Sequence, residues 1–204
     1  VSHDAANARP TGSADEPVGG STNASADGPA SGSANASFDG PADGPVKVIE
    51  ETLQAAELEY SVPRDGAFFV KLPGQHKLAT MTWLIVGDHS LHVEAFFCRQ
   101  PDENHADFYR FLLERNGRMY GMSFALDEVG DVYIVGRVPL QSVTPDEVDR
   151  LLGCVLTYSD ENFDKALERG FKTSIQKEWD WRVKRGESLA NLRAFASFAD
   201  PANR

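Results

Sequence analysis

The chain has 204 residues, enough for one ordinary domain with tails. Its 20 Lys and Arg stand against 31 Asp and Glu, a formal charge of -11, which argues against unaided binding to nucleic acid or an anionic membrane surface. No window approaches the roughly 18 apolar residues a membrane helix needs, and no basic-then-apolar leader opens the chain, so neither a membrane span nor a signal peptide is expected.

Residues 1–45 are mainly Ala, Gly, Ser, Asn, Asp and Pro, with Phe38 as their only aromatic. The unit Asp-Gly-Pro recurs at Asp27, Asp39 and Asp43, which is turn chemistry and not a solenoid repeat. So little apolar area cannot offset the entropy of ordering, so the segment reads as a disordered acidic tail.

A helix is expected from near Pro45, with Val46, Ile49, Leu53 and Ala56 on one face and an end before Leu58. Leu58, Tyr60 and Val62 alternate as a candidate strand start, and Pro63-Arg64-Asp65-Gly66 turns the chain. Ala67 to Leu72 is a short apolar strand. The next runs from His76 to Val86 and is apolar on both faces, which predicts a central strand covered twice. Leu91, Val93, Ala95 and Phe97 alternate with His92, Glu94, Phe96 and Cys98 as a half-buried antiparallel strand. Cys98 and Cys154, the only cysteines, read as two buried free thiols of a reducing cytoplasm, not as a disulfide.

Asp102 is the expected cap of a helix whose core face is Phe108, Phe111 and Leu112, stopped at Asn116-Gly117. Tyr120, Met122, Phe124 and Leu126 mark one further strand. Val132, Ile134 and Val138 mark another, across a hairpin tip at Glu128 to Asp131. Thr144-Pro145-Asp146-Glu147 opens the last helix as a capping box. Gly153 and the polar run Ser159 to Asn162 threaten its continuity, and Gly170 is a plausible end. Beyond it, Ile175, Trp179 and Val183 share a helical face, Gly186 interrupts, and Leu189, Leu192, Phe195 and Phe198 recur every three residues. The pattern predicts an amphipathic helical extension over 171–204.

The elements are expected to form an α+β domain over 46–170, a five-stranded antiparallel sheet packed by helices in the order α-β-β-β-α-β-β-α. Its strands Thr82 to Val86 and Leu91 to Phe97, the helix His105 to Asn116, the strands Gly121 to Asp127 and Asp131 to Val135, and the Thr144-Pro145 helix resemble the YbjN family of bacterial sensory transduction regulators. That resemblance implies a fold similar to the type III secretion chaperones, a non-enzymatic role, and an extended segment of a partner protein bound on apolar sheet surface. It carries over no catalytic residue, and fold alone does not fix function.

The chemical motifs point the same way. Gly121-Met122-Ser123-Phe124-Ala125 approaches the nucleophile elbow, but strand texture continues where a strand-to-helix turn is needed. His89, His92 and Glu94 lack ligand spacing for a metal, and Asp127, Glu128 and Asp131 sit at a hairpin tip. No catalytic residue, cofactor or metal site is therefore expected. The expected role is a cytoplasmic regulator or chaperone-like protein that binds a protein or peptide, with homodimerisation open. Trp83, Phe96, Trp179, Trp181 and Arg182 are its candidate binding residues. Two alternatives stay open: a small hydrolase with an unrecognised pocket, and a nucleic-acid-binding regulator acting through the basic segment Lys177 to Arg185.

Overall fold

The computed structural model describes residues 43–203; the expected tail lies outside it up to residue 42. Helix α1 (Asp43–Ala55) is followed by strands β1 (Glu59–Arg64), β2 (Ala67–Pro73), β3 (Ala79–Val86) and β4 (Ser90–Cys98). Helix α2 (His105–Asn116), β5 (Met122–Leu126), β6 (Val132–Pro139) and a 41-residue helix α3 (Pro145–Arg185) complete the domain. All strand pairs are antiparallel, in the spatial order β1-β2-β3-β4-β6-β5.

The sheet has six strands, not the expected five. Leu58, Tyr60 and Val62 signalled the extra one only weakly, because β1 is an edge strand with every residue but Tyr60 exposed. Pro63, which cannot donate to a ladder, sits where the register shifts between Ser61 and Arg64, an edge position that tolerates it.

Alternation along each strand sorts side chains onto two faces. Phe68, Val70, Leu84, Leu91, Val93, Phe97 and Ile134 point to one side and are at most 1% exposed. Helix α3 crosses β2, β3 and β4 on that side, α2 packs against β5, and α1 leans on α3. The expectation that β3 is covered twice is not met. Its Leu84 is sealed, whereas Met81, Trp83 and Ile85 are only half-buried. Aromatic and aliphatic residues on an open face shield one another, so apolar content on both sides did not signal a second layer.

Helix α3 passes unbroken through each expected break. At Gly153 nothing lies within 4 Å of where a Cβ would stand. The polar run is held by tertiary partners. Ser159 Oγ bonds Thr80 Oγ1 at 2.8 Å in the core, whereas Asn162 donates within the helix, to the Tyr158 carbonyl one turn back. Asp160 Oδ1 accepts the backbone N–H groups of Gln75, His76 and Lys77 at 2.8 to 2.9 Å, and His76 Nδ1 meets Asp164 Oδ2 at 2.7 Å. The β2–β3 loop is thereby clamped to the helix.

Gly170 is a point of close approach and not a helix end. A Cβ there would lie 2.7 Å from the Phe108 ring and 2.8 Å from Pro101. Its carbonyl also accepts the N–H groups of Asp102 and Glu103. Asp102 does not cap α2. It binds Arg99 at 2.7 Å and accepts from Ser174, while Asn104 takes the cap position at φ 51. Thr144 does cap α3, but Glu147 turns to Arg150 instead of closing the box.

The extension folds back on the end of α3. Gly186, at φ 67, ends the helix. Ala190–Phe195 then forms a 3-10 helix and Ala196–Ala199 a short α4. Three residues per turn is the 3-10 period, which accounts for the spacing of Leu189, Leu192 and Phe195.

Candidate functional site

The sheet face away from the helices is left open by the described elements. Register places Phe69 beside Trp83, Trp83 beside Glu94, Glu94 beside Val135 and Val135 beside Ser123, one row across five strands. The Phe69 and Trp83 rings lie 4.6 Å apart, and the next row sets Phe96 edge-on to Tyr133 at 5.5 Å. Phe96 is 40% exposed. Apolar surface so arranged, with polar residues along one side, has the character of an interaction patch.

Its polar side holds His92, Glu94, Ser123 and Arg137 around Val135. Burial, then the neighbouring Arg137, lowers the His92 pKa, with Glu94 opposing. The shift favours the neutral ring. Ser123 faces outward from mid-strand, and among the described residues no hydrogen bond joins it to His92 or any other base. The described residues also contain no group of three His, Cys, Asp or Glu placed to hold a metal ion. Asp127 and Asp131 are engaged locally. Asp127 accepts the Val129 and Asp131 N–H groups, and Asp131 accepts that of Gln100.

Lys77 stands where this face meets α3. Its Nζ donates to the Phe96 carbonyl and lies 5.6, 5.8 and 5.6 Å from the centroids of Phe96, Phe97 and Phe163. Burial lowers its pKa from 10.5 to about 8, with Cys98 opposing. The ring faces favour the ammonium and burial opposes it. Burial likewise pushes the Cys98 thiol up to about 12, so it is an inert thiol at pH 7. Both cysteines are unpaired, Cys98 buried and Cys154 half-buried.

The two ends of the sheet differ. At β5, the Asn116 side chain accepts from Phe124 N at 2.7 Å and donates to Phe124 O at 3.2 Å, so an amide occupies the edge where a strand could add. Beside it, Leu113 and Leu126 line an apolar groove and are 68% and 51% exposed. The β1 edge has no such plug among the described residues.

Trp83 and Phe96 thus share the open face. Trp179 does not present itself for binding: it is buried with Phe195 and Ala199 in a cluster joined to α3 through Leu167 and Ile175. Trp181 is 45% exposed with the Arg185 guanidinium 4.7 Å from its ring. Arg182 bonds Glu178 at 2.6 Å and the Ser188 carbonyl at 3.0 Å. Arg185 pairs with Glu187, so part of the basic charge of this segment is already matched. Phe69, Tyr133 and Lys77 were not singled out from sequence. Phe68 and Phe69 are equally apolar, so nothing local tells which faces outward. The surroundings of Lys77 are assembled from residues 19 to 86 positions away.

The chain belongs to the YbjN family, whose model, described as "Putative bacterial sensory transduction regulator", matches residues 45–168. It is 56% identical over 159 residues to an uncharacterised protein of Mycobacterium leprae, covering 75% of this chain and 86% of the relative. It is 55% identical over 155 residues to uncharacterised proteins of Mycobacterium bovis and Mycobacterium tuberculosis, covering 74% of this chain and 85% of each relative. Among solved structures it is similar to a chain of the HopA1–SchA chaperone–effector complex, at TM-score 0.45 and 12% identity over 58% of this chain and 91% of that one. A chain of the ExsC–ExsE complex matches at TM-score 0.42 and 16% identity, over 58% and 90%. No helix among the described residues is long and apolar enough to cross a membrane.

Proposed function

We propose that this chain is a non-enzymatic, cytoplasmic regulatory protein that binds another protein or a peptide on the open sheet face. Membership of a family described by regulation supports the role, and the open face supports the location. The observation that carries the reading is the aromatic pairs Phe69–Trp83 and Phe96–Tyr133, in adjacent rows of a face that no described helix covers. Paired aromatics of this kind anchor interfaces because they bury large area at little entropic cost. Trp83 and Phe96 are the central binding residues; Trp181 and Arg182 lie on α3, away from this face, and are not part of it. Trp179 supports the extension from within.

Photo-crosslinking in the source bacterium tests this. A photoreactive residue in place of Trp83 or Phe96 should capture one recurrent protein, and the same residue in place of Lys47 or Glu168, both on helices, should not. Capture of a second copy of this chain would identify the partner as itself. Equal capture from helix and sheet positions would remove the face from the site.

A further inference from the structure

We propose that this chain associates head to tail: the far end of α3 in one copy seats Trp181 in a groove of the next copy, between α1 and the β1–β2 and β3–β4 turns. The inference does not depend on what binds the open sheet face. The groove, about 570 Å³, has an apolar floor of Val46, Val62, Phe68 and Leu140. Its rim carries Glu50, Asp65 and Asp88, and none of the three has an ion-pair partner among the described residues. Lys47 is turned to Glu51 and does not line it.

The end of α3 presents the matching surface. Lys177, Trp181, Lys184 and Arg185 fall at i, i+4, i+7 and i+8, one face of the helix, and all four are exposed. Arg185 stacks on Trp181 and is matched by Glu187, whereas Lys177 and Lys184 have no ion-pair partner among the described residues. An aromatic ring among cations thus meets an apolar floor among carboxylates, and tryptophan is a common interface anchor. At a net charge of -11 the copies repel except where these two surfaces meet.

The occupant is not the chain's own helix end. At 1.5 Å per residue, Trp181 lies about 54 Å along α3 from Pro145. Leu140 is joined to Pro145 by at most about 18 Å of chain, so Trp181 is more than about 30 Å from its own groove. Nor does the preceding segment fit, because residues 10–43 contain no Lys or Arg to meet the rim. Each copy offers one surface of each kind, so the contact is heterologous and propagates until a ring closes.

Sedimentation velocity of the full chain tests this. The native chain should associate as its concentration rises, with a dissociation constant at least about tenfold higher in about 0.5 M than in about 0.05 M NaCl. Trp181→Glu should be monomeric alone, and so should the double variant Asp65→Lys with Asp88→Lys, each with the native circular dichroism. Mixed in equal amounts, they should form a dimer that grows no further, because one keeps the groove and the other the helix end. A native chain that stays monomeric up to about 1 mM would give the groove to another protein's segment and overturn the proposal. A dimer of either variant alone, or a mixture that stays monomeric, would overturn it as well.

Discussion

The two faces of the sheet are made from the same kinds of residue and have different fates. Phe97 and Phe96 are neighbours on β4. Phe97 is sealed at 1% exposure between Phe124 and Phe163, whereas Phe96 stands 40% exposed beside Tyr133. Only what lies opposite differs. The inner face meets α3, which carries Val148, Leu151, Leu152 and Val155. The outer face meets no described element. A strand therefore records which residues alternate, and the helices decide which alternate set becomes core.

The sharpest way to break this contrast is to truncate across it. Phe97→Ala should cost about 3–5 kcal/mol of stability by urea denaturation, and Trp83→Ala only about 1 kcal/mol, from its Phe69 contact. Equal losses would mean that the outer face is core. Asp160→Ala removes one acceptor from three backbone donors and should cost about 1–3 kcal/mol, with faster amide exchange confined to residues 75–77. Unchanged exchange there would show that the loop holds itself.

Two glycines of α3 sharpen the comparison within one helix. Gly170→Ala, against Phe108 and Pro101, should destabilise by about 1–2 kcal/mol. Gly153→Ala, into open space, should stabilise by up to about 1 kcal/mol. Thermal melts with the same sign for both would contradict the packing at Gly170.

The smallest effect is a slope. The folded pKa of Lys77, about 8, lies below its unfolded value near 10.5, so the unfolded chain holds more protons between them and stability rises with pH in that window. Cys98, raised from 9.0 to about 12, acts oppositely above pH 9, because there the folded chain holds more protons. Between pH 8 and 9, the stability of the native chain relative to Lys77→Met should therefore rise, by no more than about 1 kcal/mol. A flat difference would mean that Lys77 is not desolvated.

Much of the fold was legible in the chain. Period-two alternation marked the strands from Ala67 onward, and Thr144-Pro145 marked the start of α3 through local capping chemistry. The misreadings share one cause. Gly153, Ser159 to Asn162 and Gly170 weaken a helix on local grounds, yet each is compatible with α3 through open space, loop contacts or a neighbouring ring. Glu59–Arg64 carries a weak strand signal because an edge strand needs few buried residues. Of the candidate site, Trp83 and Phe96 could be named from alternation and residue type, but their association with Phe69 and Tyr133 depends on strand order.

By itself, the sequence determined the element types, the family resemblance and the acidic charge, because these follow from local periodicity, capping and composition. The tertiary structure alone decided which sheet face is open, why Trp179 is inside and Trp181 outside, and why Lys77 is half-buried among three phenyl rings. Each of those depends on packing between residues far apart in the chain, and short-range patterns contain no record of it.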